Sequence, residues 1–359
     1  MAEAPKVLTE QQEAIIDAIS SRKCNVLVNA VAGASKTFTS LHACRLLPPE
    51  TMVLILTYNS RLKFETRTKV RKMNMSDRVS VHSYHSACVR HYDSVNGKDD
   101  VGISKIVARG QEALPYNPVC FDVLIIDECQ DMTELYYWFV RKMIQDNARP
   151  GFTMAVFGDM RQCIYKFKDA EPRLFRLMPE LMQKSWRRFS LSTSFRITRS
   201  MCEFVNTHLT CPEEHSRFGD TVMRAHKPGR GCPVRYVVAT NMYQAPLDEL
   251  LAELRSGETR PGDVFVLAPS LHTGRLRMYI NVLENKLVAM NIPCFVPTSR
   301  NMSVGDQTLL RGKVVFSTFH QSKGLERPVV LVMGFDANSC FMYDSSSSCP
   351  NELYVACTR

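Results

Sequence analysis

Short apolar runs recur along the chain and alternate with longer segments in which apolar positions follow a helical period. An apolar run bounded by turn residues is typical of a strand that is buried on both faces of a parallel sheet. The first series of predicted strands comprises 25–30, 52–58, 121–127 and 153–159. A second series comprises 233–240, 263–269, 313–319 and 329–335.

Helical spacing of apolar residues between these strands predicts helices, most clearly over 11–20, 36–47, 132–145, 244–255 and 274–290. Strands that alternate with helices predict an α/β fold with mainly parallel sheets flanked by helices. The two series predict two domains, 1–186 and 187–359, joined near 171–190. The polar, turn-rich segments 93–119 and 338–351 are predicted loops, and a short insertion is expected at about 86–118.

Composition narrows the classes of protein that fit this pattern. The 359 residues are 45% apolar and 23% charged, which is typical of a globular protein in water. No apolar run is long enough to span a membrane, and the first residues lack the apolar core of a signal peptide. The 13 cysteines form no CxxC pair, which favours reduced thiols in an intracellular protein. The net charge of +9 favours a polyanionic partner without requiring one.

The segment VLVNAVAGASKTFTS, residues 26–40, has the strand–turn–helix context of a phosphate-binding loop. Backbone N–H groups at the start of a helix favour an anion at that position. Lys36 is expected to reach the β- and γ-phosphates of a nucleotide, and the Thr37 hydroxyl is expected to bind Mg²⁺. The rest of the predicted nucleotide-binding loop is Ala32, Gly33, Ala34 and Ser35.

Two positions of this loop depart from the pattern GxxxxGK[ST], because Val31 and Ser35 stand where that pattern has glycine. A positive φ at Ser35 would cost about 1–2 kcal/mol, which a working site can tolerate. A turn of small residues that enters a helix has the same appearance. The loop by itself therefore leaves both interpretations open.

A second acidic segment, VLIIDECQD (123–131), places two carboxylates directly after a predicted buried strand. Ligands of α/β proteins bind at the carboxyl ends of such strands. Asp127 is expected to hold Mg²⁺, and Glu128 is expected to orient and deprotonate an attacking water. One acidic pair after a strand is common, but it becomes much more specific when it follows a Lys-Thr loop.

The segment DECQD fits the DExQD signature of superfamily 1 helicases of the UvrD/Rep type, and other segments resemble the motifs of that family in the same order. They are LTEQQEAI (8–15), LTYNSRL (56–62), VHSYHS (81–86), VFGDMRQCIYKFKDA (156–170), LSTSFRIT (191–198), STFHQSKGLE (317–326) and LYVACTR (353–359). The resemblance covers almost the whole chain. It implies two RecA-like P-loop NTPase domains and hydrolysis of ATP with Mg²⁺ in the cleft between them.

The resemblance also implies roles for single residues. Gln12 would read the adenine edge, Phe195 would pack on the adenine and Glu326 would contact the ribose.

Three further residues take the family's phosphate-contacting positions. Gln162 would couple the γ-phosphate to the segment that follows it. Arg196 and Arg359 would stabilise the charge of the transition state as arginine fingers do.

Aromatic and basic residues of three motifs resemble the family's single-strand track. Tyr58 and Phe167 take the positions of stacking aromatics, and His85 and Tyr84 are further candidates. Lys168 replaces the arginine of the spelling FRGA with another cation.

The segment 60–72 carries six basic residues and one acidic residue, and it follows Tyr58 directly. We expect Arg61 and Lys63 to contact phosphates, although a charge run is more often a solvated helix face.

The implied function is that of an ATP-dependent DNA helicase or translocase, monomeric and moving 3′ to 5′ on single-stranded or tailed duplex DNA during repair or replication. The expected location is the nucleus in a eukaryote or virus and otherwise the cytoplasm. Two alternatives stay open. One is a catalytically weak nucleic-acid-binding remnant of a P-loop protein, and the other is an RNA-acting superfamily 1 helicase.

Several features depart from the larger members of the family. The interval between Arg196 and Thr318 is too short for a large accessory 2B domain, and the spelling Ser-Phe-Arg resembles compact viral or F-box-helicase-like relatives. Asp169 replaces a glycine of the family's pattern. Because the sequence stops at Arg359, its second domain is expected to be truncated at the C-terminus.

Overall fold

The computed structural model describes residues 8–114, 120–209, 222–227, 233–238, 244–271, 274–297, 310–335 and 351–359. This described part divides into two compact units. The first unit ends at Ser194, and the second begins at Phe195. Both units contain a parallel sheet with helices, so the predicted α/β fold class is confirmed.

The described residues of the first unit form a six-stranded parallel sheet in the order β3-β2-β4-β5-β1-β6. The strands are β1 (Asn25–Ala30), β2 (Val53–Thr57), β3 (Val79–Ser83), β4 (Phe121–Ile126), β5 (Ala148–Gly158) and β6 (Trp186–Leu191). Val26 of β1 and Ile125 of β4 both pair with Ala155 of β5. The carboxyl ends of these three strands therefore lie side by side, and the segments that follow them can share one site.

Within its described ranges the first unit contains seven helices, and all of them except α2 and α7 begin where a short polar side chain caps them. They are α1 (Glu10–Ser20), α2 (Lys36–Leu46), α3 (Ser60–Lys72), α4 (Tyr84–His91), α5 (Asp100–Arg109), α6 (Glu134–Asn147) and α7 (Arg173–Leu181). The side chains of Asn59, Ser83, Asp99 and Thr133 each accept a hydrogen bond from the first turn of the helix that follows. Such caps satisfy N–H groups that the helix itself leaves without a partner.

The core of the first unit lies between the sheet and the helices. Leu54, Ile126 and Val156 from the strands pack with Tyr84 of α4 and Phe139 of α6, and all five are at most 1% exposed. Burial of this apolar surface is the main favourable contribution to folding of the unit. It also holds the strand ends in a constant relative position.

Three elements of the first unit differ from the predictions. The strands β3 and β6 were not predicted, because polar residues interrupt both of them and β6 is also partly exposed, so neither forms an apolar run. Helix α5 occupies part of the predicted loop 93–119, with Asp99 as its N-cap and Gly110 in the left-handed conformation at its C-cap. Strand β6 pairs with β1 along its whole length, so the first unit extends beyond the predicted boundary at 186.

The described residues of the second unit form a four-stranded parallel sheet in the order β8-β9-β7-β10. The strands are β7 (Val264–Ala268), β8 (Cys294–Phe295), β9 (Val314–Thr318) and β10 (Val329–Val332). The helices are α8 (Arg199–His208), α9 (Ala245–Arg255), α10 (Gly274–Ala289) and α11 (Asn351–Cys357). Val266 and Phe316 of the sheet pack with Leu250 of α9 and with Ile280 and Leu283 of α10.

One predicted strand of the second series is not formed in the part that the structure describes. Residues 233–238 join no sheet, and Arg235 instead pairs through its side chain with Glu249 and Glu253 of α9. Residues 239–240 and most of the predicted loop 338–351 lie outside the described residues.

No helix among the described residues combines the length and the apolar character needed to cross a membrane. The cysteines in the described ranges are free thiols.

Candidate functional site

The loop between β1 and α2 contains two residues with a left-handed backbone conformation. Gly33 has a φ of 74°, and Ser35 has a φ of 62° and a ψ of 39°, both in the left-handed region. Ser35 makes no side-chain cap on α2. Helix α2 begins directly after this loop, and the start of a helix is where backbone N–H groups favour an anion.

The side chains that follow this loop meet the carboxylates that follow β4. The Lys36 Nζ lies 3.1 Å from Glu128 Oε1, and the Thr37 hydroxyl donates to Asp127 Oδ2 at 2.9 Å. Lys36 is 9% exposed, and Asp127 is 4% exposed. Two segments that lie about ninety positions apart in the sequence therefore form one polar cluster at the edge of the sheet.

The electrostatics of the cluster are set by burial and by three carboxylates. Burial alone would lower the pKa of Lys36, but Glu128, Asp127 and Asp159 outweigh it and raise that pKa. The ammonium group therefore stays charged. Burial, followed by the charge of Glu128, raises the pKa of Asp127, while Lys36 and Thr37 act in the opposite direction.

Sequence reasoning gave no role to Gln130, which connects the cluster to the segment after β5. Its Nε2 donates to Glu128 Oε2 at 2.5 Å, and its Oε1 accepts from the Asp159 backbone N–H at 2.9 Å. Asp159 Oδ2 in turn accepts from Gln162 Nε2 at 2.8 Å. The only signal in the sequence is the glutamine of DECQD itself.

Gly158 lets the side chains of Gln130 and Phe175 lie close to the backbone at the end of β5. A Cβ atom at position 158 would lie 2.9 Å from the ring of Phe175 and 3.1 Å from Gln130 Oε1. Glu128 also has a left-handed backbone, with a φ of 55°. Strained backbone of this kind is often retained at functional sites.

The oxygen atoms of Thr37 and Asp127 fit a small hard cation. Mg²⁺ prefers such ligands and usually takes only one or two from the protein, with phosphate oxygens and water supplying the rest. The described residues contain no cluster of three or more His, Cys, Asp or Glu side chains that could hold a metal without such help. Thr37 and Asp127 therefore suit a metal that arrives with a nucleotide.

The side chain of Gln12 is buried between helices α1 and α2. Its side chain completes a capping box with Thr9, its Nε2 donates to Thr39 Oγ1 at 3.2 Å, and it is 1% exposed. The neighbouring Gln11 is half-buried and bonds Ser192. The structure therefore gives Gln12 a role in holding α1 against α2, and its predicted adenine contact stays a prediction.

Tyr165, which was not predicted, joins the predicted stacking aromatics Tyr58 and Phe167 into one row of rings. The ring of Tyr58 stacks on Tyr165 with centroids 5.3 Å apart, and Tyr165 meets Phe167 edge-on at 6.0 Å. Phe167 is 66% exposed, and the Lys168 ammonium lies 5.8 Å from its ring centroid. Asp169, at the predicted glycine position, has a φ of 59°.

Two of the other predicted nucleic-acid contacts, Arg61 and His85, have acidic partners within the first unit. Arg61 donates to Glu65 at 2.8 Å, one turn along α3, and Lys63 is half-buried. His85 Nε2 lies 2.8 Å from Asp100 Oδ1. Tyr84 is 1% exposed, so it belongs to the core rather than to a binding surface.

The predicted residues of the second unit form a group of their own. Arg196 donates to Glu326 at 2.6 Å and to the Thr358 carbonyl at 3.1 Å. The ring of Phe195 lies 4.4 Å from that of His226. Arg359 is 3% exposed and donates to the Val355 carbonyl of α11 at 2.8 Å. The structure thus brings Arg196 and Glu326 together.

Comparison with known proteins agrees with the motifs of the first unit. Residues 101–183 match the model of the UvrD/REP helicase N-terminal domain, a range that contains Glu128, Gln130 and Gln162. The chain is also 30% identical over 101 residues to an ATP-dependent helicase/nuclease subunit from Enterococcus faecalis (strain ATCC 700802 / V583). That alignment covers 26% of this chain and 8% of the relative, so the chain spans only a small part of the relative's length.

Proposed function

We propose that this chain is a compact ATP-dependent helicase or translocase of the UvrD/Rep type that moves 3′ to 5′ on single-stranded DNA. The observation that carries the proposal is the cluster of Lys36, Thr37, Asp127 and Glu128 at adjoining strand ends. A phosphate loop and an adjacent carboxylate pair can bind a nucleoside triphosphate with its metal ion and position the water that hydrolyses it. The partial family match and the row of aromatic rings support DNA as the partner.

In the proposed reaction, Lys36 exchanges its contact with Glu128 for the β- and γ-phosphates of ATP. The first N–H groups of α2 hold the remaining phosphate oxygens. Mg²⁺, held by Thr37 and Asp127, would neutralise the charge that develops on the phosphates. Glu128, released from Lys36, orients a water molecule and accepts its proton.

Gln162 and the two arginines of the second unit complete the proposed set. Gln162 is joined to Glu128 through Asp159 and Gln130, so it can respond to the state of the phosphate site. Arg196 and Arg359 would stabilise transition-state charge, and this role rests on the resemblance alone.

The proposal is tested by measuring ATP turnover of the purified chain with and without single-stranded DNA. We expect stimulation by DNA, loss of nucleotide binding in Lys36→Ala, and a fall in turnover of about 100-fold or more in Glu128→Gln. Glu128→Gln should still bind ATP. Lys23→Ala, at an exposed lysine outside the cluster, is the matched control and should behave as the parent does.

The same assay separates the alternatives. A rate of ATP turnover that is the same with and without single-stranded DNA would contradict the proposal. Strand affinity that is the same with and without ATP, combined with no turnover, would favour the binding remnant. Tailed duplexes of both polarities, made of DNA and of RNA, would decide the direction of movement and the substrate.

A further inference from the structure

Helix α3 carries a row of cations that the proposed reaction does not use. Lys63, Arg67 and Arg71 follow one another at intervals of four residues, so they lie on the same side of the helix, about 6 Å apart along its axis. Arg90, at the end of α4, contributes after burial to the lowered pKa of Arg67. We call these four residues the cationic row.

Burial and the like charges of the cationic row lower the pKa values of two of its members. Burial and then the charge of Arg67 lower the pKa of Lys63. Burial and then the charges of Arg90 and Arg71 lower the pKa of Arg67. Like-charged pairs at this spacing destabilise a helix, so the row costs the free protein stability. An anion that bound along it would remove that cost.

The protein holds the row in place without neutralising it. Arg67 Nε donates to the Val81 carbonyl at 2.7 Å, and Arg67 Nη2 lies 3.4 Å from His82 Nδ1. Among the described residues, no carboxylate makes an ion pair with Lys63, Arg71 or Arg90. Arg61 on the same helix differs, because Glu65 lies 2.8 Å from it.

An apolar ring lies beside the cationic row. Phe64 is 64% exposed although it belongs to a strongly basic helix. It is three residues before Arg67 and seven before Arg71, so it shares their side of α3. Single strands are bound by exposed aromatic rings, on which bases stack, together with cations that follow the backbone.

We propose that Phe64 and the cationic row form a binding strip for single-stranded nucleic acid along the outer side of α3. Phosphates of the strand would lie along Lys63, Arg67, Arg71 and Arg90, and a base would stack on Phe64. The strip begins on the helix that follows Tyr58 in the sequence, and it would add contacts to those predicted for Tyr58 and Phe167. The choice of a nucleic acid as occupant rests on the proposed function.

The test is the salt dependence of binding to a fluorescently labelled oligothymidylate, measured by anisotropy without nucleotide. Each lost phosphate contact reduces the slope of log affinity against log salt by about 0.7 for a single strand. We therefore expect Arg71→Ala combined with Arg90→Ala to reduce the slope by about 1.4. Both side chains are exposed and lie beside like charges, so the melting temperature should not fall below that of the parent.

Matched variants separate the strip from general charge effects. Lys69→Ala combined with Lys72→Ala removes two exposed cations from the same helix but off the row, and it should leave the slope nearly unchanged. Phe64→Ala should weaken binding about fivefold or more while keeping the slope, because it removes stacking and no charge.

Equal slopes for the two double variants would overturn the proposal. A blunt duplex that binds more tightly than the single strand, and whose slope the Arg71→Ala, Arg90→Ala variant reduces equally, would overturn the assignment of the strip to single strands. The result is independent of catalysis. If the double variant reduces the slope in a protein that does not hydrolyse ATP, the strip is supported and the proposed function is contradicted. If the protein hydrolyses ATP and the slope is unchanged, the proposed function is supported and the strip is contradicted.

Discussion

Val31 and Ser35 occupy glycine positions of the phosphate-loop pattern for different physical reasons. Ser35 takes the left-handed backbone that the pattern's glycine would supply, with a φ of 62°. Val31 is fully buried and is not among the residues with positive φ. Its N–H donates to the Leu191 carbonyl at 2.9 Å. The backbone of the loop is therefore strained at Ser35 but not at Val31.

Restoring the two glycines should have opposite effects on the free energy of unfolding. Ser35→Gly relieves about 1–2 kcal/mol of strain but adds about 0.4–1 kcal/mol of unfolded-chain entropy, so we expect up to about 1.6 kcal/mol of stabilisation. Val31→Gly removes a buried side chain and should destabilise by about 2 kcal/mol or more. Urea denaturation of both variants checks this, and two changes of the same sign would contradict it.

Gln130 offers a second test at the scale of a single residue. Gln130→Ala leaves the Glu128 carboxylate and the Asp159 N–H without their amide partner, which should cost about 1–3 kcal/mol of stability. Gln111→Ala removes one hydrogen bond, to the Tyr92 carbonyl, at a half-buried position and should cost less. Urea denaturation measures both. Equal costs would show that the amide bridge adds nothing beyond one ordinary hydrogen bond.

At the scale of elements, caps and apolar runs act locally while strand pairing does not. Asn59 and Ser83 start α3 and α4 through bonds to the turn that immediately follows. Strand β3, which lies between these helices, places His82 against both of them. The His82 ring is 5.2 Å from that of His91 on α4 and close to Arg67 on α3.

This packing makes stability depend on pH. Burial, followed by the charges of His91, Arg67, Arg90 and Lys63, lowers the pKa of His82 from 6.5 to about 3. Between these values the unfolded chain binds a proton that the folded chain does not, so the free energy of unfolding falls as pH drops from about 6.5. His82→Asn should flatten this dependence between pH 6.5 and pH 4. Denaturation at a series of pH values measures the slope.

The outcome at higher pH is the internal control of that experiment. Above about pH 8 the His82 imidazole is neutral in both the folded and the unfolded chain. The parent and the variant should therefore show parallel stability curves there. Equal slopes below pH 6.5 would contradict the assignment of the pH dependence to His82.

At the scale of the whole molecule, the residues that the resemblance links to ATP belong to two compact units. Lys36, Asp127 and Glu128 lie in the first, and Arg196 and Arg359 lie in the second. The sequence predicted two α/β domains but ended the first at 186, because β6 is polar and partly exposed and has no apolar run to reveal it. Its pairing with β1 assigns it to the first sheet.

The sequence by itself determined those features that depend on neighbouring residues. Apolar runs located β1, β2, β4 and β7, and motif spelling predicted a phosphate loop before α2 and a carboxylate pair after β4. Local chemistry is sufficient there, because burial patterns and turn residues act over a few positions.

Tertiary structure decided which distant side chains meet. The partner of Lys36, the bridge through Gln130 and the approach of Arg90 to the row on α3 all join separate elements. The order of strands in the sheet and the packing of helices on it set these contacts. No single segment of sequence carries that information, because each contact depends on the position of at least two elements in the folded unit.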